Sequence, residues 1–368
     1  MIVTVVTGTR PQIIKSAPVL HALEDAGLNV RFIHTGQHYD FELAEQFVKE
    51  FSIRKPDYNL EVGSGTNSYQ TYSVISKLET ILLKEVPDYL IVPGDTNSAL
   101  GAALTGFKMD IPTCHLEAGL RSYDMLMQEE INRRLIDHGA AGLFAPTTLA
   151  AQNLGNENVR GMVFLTGDTM YDILMKRLST FNDPSFQEKV VKELGISDEK
   201  FGVLTLHRRE NVDIPERLKG IVEGLAEIEH QILFPMHPRT RHQIAEQNLT
   251  LPKNLKIVDP IPYTTMMAIV SRASLLLTDS GGLQKEAYLL NTPCVTIRDN
   301  SEWIETIHAG ANVLVAAKSD DIQMKASQMW DKSLKNDPSV YGDGNASVKI
   351  AEIVASGEIV IKSNLMRL

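Results

Sequence analysis

Short runs of apolar and β-branched residues alternate with longer stretches of helical periodicity along almost the whole chain. The runs are IVTVVT, VRFIHT, DYLIVP, IPTCHL, GLFAP and VFLTG, then GVLTLH, QILFPM, LKIVDP, SLLLTD, PCVTIR and NVLVAA. Between them lie amphipathic stretches such as IIKSAPVLHALEDAG and IPERLKGIVEGLAEIEH. Uninterrupted apolar strands in a βαβα rhythm predict parallel sheets covered by helices on both faces. Twelve strands are many for one sheet, so the pattern predicts an α/β chain of two Rossmann-like, doubly wound domains facing a cleft. The polar stretch STFNDPSFQEK (179–189) is the expected divide, giving domains at 1–178 and 179–345. A C-terminal helix at about 346–368 is expected to pack back on the first domain.

The bulk composition narrows the class without naming a chemistry. A chain of 368 residues with 43% hydrophobic and 22% charged residues is that of a soluble globular protein. Its net charge of -10 argues against a general nucleic-acid binder, which needs a basic face. A few local arginines and lysines still suffice for a phosphate. The two cysteines, Cys114 and Cys294, fall in strand-like runs and read as small buried apolar residues. MIVTVVTGTRP reads as a first strand and not as a signal peptide, and no apolar run approaches the length of a membrane span. A cytoplasmic location and no membrane partner are therefore expected. His237 and His242 lack the spacing that places two imidazoles on one helix face, so no metal is expected.

Candidate chemistry collects at the ends of the strands, where ligands bind in doubly wound sheets. The segments following strands are GTRPQIIK, TGQHYD, PGDTNS and HLEAGLR in the first half, and HRREN, HPRTR, DSGG and RDNSEW in the second. In LLTDSGGLQKEAYLL a strand ends, Ser280, Gly281 and Gly282 turn the chain, and a helix begins. The free N–H groups and positive end of such a helix suit a diphosphate, and glycine lets an anion approach the backbone. Glu286, one turn further on, is placed to accept hydrogen bonds from ribose hydroxyls. The plainer alternative is Ser280 as an ordinary N-cap. Arg10 and Lys15 offer cations after the first strand. Asp95 and Glu117 end neighbouring apolar runs, and two such carboxylates persist more readily where cations or proton transfer compensate. His207 opens the second-half set. In HLEAGLRSYDMLMQEEINRR, Met127, Ile131 and Leu135 are expected to form a buried helix stripe. Glu130 and Arg134 are expected to make an i,i+4 pair flanking that stripe, a bland helix salt bridge, while Glu129 lies nearly opposite the stripe and within reach of Arg133.

Taken together, GTRPQIIKSAP, TGQHYD, GDTNSALGAAL, HLEAGLRS, EEINRRLIDH, LHRREN, HPRTR and TDSGGLQKEAYLLNTPCVTIRDNSEW resemble the non-hydrolysing UDP-N-acetylglucosamine 2-epimerase family, over about residues 1–315. The resemblance implies a glycosyltransferase-B architecture, a UDP-sugar substrate, no cofactor and a homodimer. It further implies Asp95, Glu117 and Glu129 as acid/base carboxylates and His207 as a donor at the diphosphate. Arg10 and Lys15 become cationic contacts, with Ser280, Gly281 and Gly282 at the phosphates and Glu286 on the ribose. Three departures stand out: Gln128 in place of the usual proline, Trp303 where well-known members carry arginine, and QHYDFEL without the family's usual methionine. Trp303, TGQHYD and DSGGLQKEAY resemble the branch acting on UDP-2,3-diacetamido-2,3-dideoxyglucuronate. A hydrolysing epimerase, a glycosyltransferase and an inactive nucleotide-sugar sensor are remoter alternatives.

Overall fold

In the computed structural model, residues 1–36, 51–197 and 199–361 are described. TGQHYD beyond Gly36, the QHYDFEL departure and the tail from 362 lie outside the described residues. The chain forms two compact units, Met1–Met175 with Ser339–Leu368, and Lys176–Pro338.

The first unit is built on strands β1 (Ile2–Thr7), β2 (Asn29–His34), β3 (Tyr58–Asn59), β4 (Tyr89–Pro93), β5 (Thr113–Leu116), β6 (Gly142–Ala145) and β7 (Met162–Leu165). They pair in the order β3-β2-β1-β4-β5-β6-β7, every pair parallel. The second unit carries β8 (Gly202–Thr205), β9 (Ile232–Pro235), β10 (Leu255–Val258), β11 (Leu275–Thr278), β12 (Cys294–Ile297) and β13 (Asn312–Val315). Their order is β10-β9-β8-β11-β12-β13, again all parallel. All twelve apolar runs became strands. The addition, β3, is two exposed residues with no apolar run to announce it. Central strands such as β4 and β11 are buried throughout, as helices on both faces require, whereas edge strand β7 alternates. Cys114 and Cys294 are buried free thiols, their pKa values pushed up by burial to about 12.

Each sheet reverses its winding once. The reversal lies between β1 and β4 in the first unit and between β8 and β11 in the second. Such switch points open a crevice at the carboxyl ends of the strands, where ligands bind.

The helix Thr169–Phe181 carries the chain into the second unit, and the helix Pro184–Glu193 comes next, opened by Asp183 accepting from Ser185 N at 3.1 Å. The polar stretch 179–189 is therefore a helix end, a turn and a helix start, and the units divide at Met175, inside the first helix. The chain returns at Ser339, ahead of the helix Ala346–Ser356. Asp172 accepts the first two N–H groups of that helix, Ala346 at 3.0 Å and Ser347 at 2.7 Å, and the helix packs on Arg10–Asp25.

Candidate active site

In the first unit, the site is assembled from loops that leave β1, β4 and β5. The helix Arg10–Asp25 starts directly after β1, with Pro11 in its first turn. Gln12 accepts from Gly8 N (2.8 Å) and Thr9 N (3.1 Å) and donates to the Pro93 carbonyl (2.6 Å). One amide thus ties the two strand ends on either side of the switch point. Arg10 is exposed at the helix start, while Lys15, one turn further, reaches inward and pairs with Glu117. Burial pulls the Lys15 pKa down, but Glu117 and then Asp95 outweigh it and hold the ammonium above its ordinary range. Gly94, at φ +64°, brings the backbone beside this pair: a Cβ there would sit 3.1 Å from Lys15 Nζ. Glu117 itself is left-handed, at φ +62°, a conformation that costs a non-glycine residue about 1–3 kcal/mol and often marks a functional position.

Asp95 is matched by a second cation. Arg133 Nη2 donates to Asp95 Oδ2 at 2.6 Å, and Asn132 Nδ2 donates to the Asp95 carbonyl at 2.8 Å. Both donors stand on the helix Gln128–Gly139, which corrects two expectations. Its buried face is Glu130, Asn132, Arg133, Ile136 and Asp137, while Leu135 is 51% exposed, so Met127, Ile131 and Leu135 are not its core stripe. The i,i+4 pair of Glu130 with Arg134 is present at 2.9 Å, but Glu130 is fully buried. It accepts in addition from Ser122 N (2.8 Å), Ser122 Oγ (3.1 Å) and Arg133 Nη1 (3.1 Å). The polar stripe wins because this helix packs on the helix Asn97–Lys108 and over the turns after β4 and β5, where backbone donors and charges need partners. Glu129, in the first turn, is half-buried and takes no part in these bonds; Arg133 is engaged by Asp95 and Glu130 instead.

In the second unit, Asp279, fully buried at the end of β11, reaches across the switch point to the end of β8. It accepts from His207 N (3.0 Å) and Arg208 N (2.8 Å), and lies 3.0 Å from His207 Nδ1. Burial raises its pKa, but His207 and then the backbone amides outweigh that and hold the carboxylate below its usual range. The Nδ1–H···Asp279 bond fixes the ring and leaves Nε2 for another partner; the His207 side chain is 44% exposed.

Ser280 caps the helix Gly281–Leu289 by accepting from Leu283 N at 3.4 Å, so the plain reading of this serine holds. The two glycines after it differ. A Cβ on Gly281 would lie 2.3 Å from Glu302 Oε1, whose carboxylate is held 3.0 Å from Arg298, whereas a Cβ on Gly282 would meet nothing within 4 Å. Gly281 answers to packing; Gly282 keeps a helix mouth open. Glu286 is buried on the same helix. Trp303 is buried, and Lys285 Nζ lies 4.1 Å from its ring centroid, a cation–π contact.

The two sheets therefore bring Lys15, Asp95 and Glu117 to one switch point and His207 and Ser280–Gly282 to the other. Arg133 and Asp279 are the partners that strand-end reasoning missed. Asp279 was open to discovery as the last residue of a strand run, whereas the spacing of Arg133 from Glu129 pointed to a partner it does not take.

The family model described as UDP-N-acetylglucosamine 2-epimerase matches residues 21–355. The chain belongs to that family. A UDP-N-acetylglucosamine 2-epimerase homolog of Methanococcus maripaludis is 44% identical, with 96% of this chain and 99% of the relative covered. The UDP-2,3-diacetamido-2,3-dideoxy-D-glucuronate 2-epimerase of Pseudomonas aeruginosa is 41% identical, over 96% of this chain and 99% of its own length. Among solved structures, the Methanocaldococcus jannaschii UDP-GlcNAc 2-epimerase in complex with UDP-GlcNAc and UDP is similar at a TM-score of 0.90 and 40% identity, covering 97% of this chain and 100% of that one.

Proposed function

We propose that this epimerase interconverts UDP-GlcNAc and UDP-ManNAc by eliminating and re-adding UDP. The observation that carries the reading is the pair of carboxylates at neighbouring strand ends, Asp95 and Glu117, each joined to its own cation in a chain of this family. A carboxylate takes the C2 proton while the C1–O bond breaks and its electron pair leaves with UDP. A C1=C2 double bond remains, as a 2-acetamidoglucal. UDP then re-adds at C1 and a proton returns to the opposite face of C2. Asp95, Glu117 and Glu129 are the proposed acid/base groups. His207 Nε2, the Ser280–Gly282 helix mouth, Arg10 and Lys15 hold the departing diphosphate, and Glu286 takes the ribose. The sequence of steps is redox-neutral, so it calls for no nicotinamide, and each proton moves between a carboxylate and C2.

Incubating the purified protein with UDP-GlcNAc in D2O and reading C2 by NMR tests the proposal. UDP-ManNAc carrying deuterium at C2 is expected; free ManNAc would turn the reading toward a hydrolysing enzyme, and no C2 exchange on any UDP-sugar would reject it. A second substrate, UDP-2,3-diacetamido-2,3-dideoxyglucuronate, is favoured by the buried Trp303–Lys285 contact in the segments that resemble that branch and by the Pseudomonas relative. Competing the two UDP-sugars in one assay ranks them. We place the enzyme in the cytoplasm as a homodimer; sedimentation of the purified protein tests the dimer, and fractionation of the cell tests the location.

A further inference from the structure

Between Asp95 and Glu117 runs a connection that the proposed chemistry does not use. His115, the third residue of β5, is fully buried. Its Nε2 lies 2.8 Å from the carbonyl of Gly94, the residue before Asp95, and its Nδ1 lies 2.6 Å from Asp137 Oδ1. Asp137 Oδ2 accepts from Gly119 N at 3.1 Å and from Arg121 Nη1 at 2.7 Å, on the far side of Glu117. Arg121 continues to Glu157 at 2.7 Å. The ring therefore bridges the turn that carries Asp95 to the turn that carries Glu117.

The chemistry of the two partners fixes what the ring must do. A backbone carbonyl only accepts, and so does an ionised carboxylate. Asp137 is held ionised by donors of its own, Arg121 Nη1 at 2.7 Å and Gly119 N at 3.1 Å. For both bonds to exist, both ring nitrogens must carry hydrogen. The groups packed around the ring are Arg121, Asp137 and Glu157, with Arg134 and His138 further out on Glu157.

The second turn needs such a restraint. Glu117 stands at φ +62°, a left-handed conformation that a residue other than glycine keeps only where surrounding bonds over-determine it. Gly119, at φ +83°, has no room for a side chain: a Cβ there would lie 2.2 Å from the Ala150 carbonyl oxygen. We infer that His115 is a positioning residue: a doubly donating imidazole clamp, backed by Asp137, that sets the spacing of Asp95 and Glu117. It touches neither carboxylate and acts through Gly94 and the Asp137–Gly119 bond. The inference rests on the proposed roles of Asp95 and Glu117.

Two measurements test it. In the intact protein labelled with 15N-histidine, one buried ring, absent from the spectrum of His115→Gln, should show N–H protons on both nitrogens at neutral pH. A His115 ring with one bare nitrogen overturns the clamp, whether or not the protein turns over a UDP-sugar. In His115→Gln, which retains one donor, kcat per UDP-binding molecule should fall about a hundredfold, the scale of an ångström of misplacement, with KM and UDP affinity nearly unchanged. Asp137→Asn, which keeps the ring, should lower kcat in the same sense if the glutamine variant does not fold. An unchanged kcat per binding-competent molecule means that His115 only stabilises the fold, and overturns the inference. Failure of the wild-type protein to exchange C2 hydrogen instead rejects the proposed reaction and leaves the NMR result to decide the clamp.

Discussion

The two units share a topology and use its switch point in opposite ways. In the first, the strand ends carry carboxylates, and buried cations hold them: Lys15 on Glu117, Arg133 on Asp95. In the second, the carboxylate is the buried support, Asp279, and what it supports is a histidine and two backbone amides. One sheet thus presents anions suited to moving protons, and the other presents donors suited to holding a phosphate. The fold supplies only the place. The sign of the group buried beneath the strand ends decides which chemistry faces out, because a buried charge needs an opposite partner.

Substitutions that separate the two units sharpen this contrast. Glu117→Gln removes one proton acceptor while keeping shape. It is expected to lower kcat by about a thousandfold, within the range for general acid–base catalysis, and to leave UDP affinity by calorimetry unchanged. Loss of UDP binding in that variant would break the division of labour. Glu130→Ala strips a fully buried carboxylate from Ser122, Arg133 and Arg134 and should cost the first unit about 3–5 kcal/mol in chemical denaturation.

Acid should also tell the units apart. His34, buried at the end of β2, has its pKa lowered from 6.5 to about 4, chiefly by burial. The unfolded chain binds that proton first, so stability is intact above pH 6.5 and is lost as pH falls toward 4, by about 3 kcal/mol. Asp279, with its depressed pKa, holds its contribution until the pH drops below the ordinary carboxylate value, 3.8. Denaturation midpoints between pH 7 and 4 should fall more steeply for the wild-type protein than for His34→Gln. Equal slopes would show that another group governs the acid response. The smallest effect concerns the glycines. Gly282→Ala should leave the free protein's stability alone and weaken UDP binding about tenfold, or 1.4 kcal/mol. Gly281→Ala, which displaces Glu302 from Arg298, should instead lower stability by about 1–2 kcal/mol.

Much of this was legible in the sequence. Each apolar run became a strand because a parallel sheet covered on both faces demands continuous apolar residues. Lys15, Asp95, Glu117, His207 and Ser280 stand out in the sequence because each lies shortly past the end of an apolar run. Periodicity failed on the helix Gln128–Gly139, where it assigned Met127, Ile131 and Leu135 to the core. That helix buries charge, and a pattern method counts buried charge as surface. The partners Arg133 and Asp279 lie 38 and 72 positions from Asp95 and His207, a separation at which sequence spacing carries no information. β3 escaped notice because two exposed residues leave no pattern.

The return of the chain to the first unit sets an order of events during synthesis. Asp172 waits for the N–H groups of Ala346 and Ser347, and the outer face of the helix Arg10–Asp25 waits for the helix that those two residues open. Both partners leave the ribosome only after all of Lys176–Pro338. The unit translated first is therefore the one whose last contacts can form only after the other unit has been made.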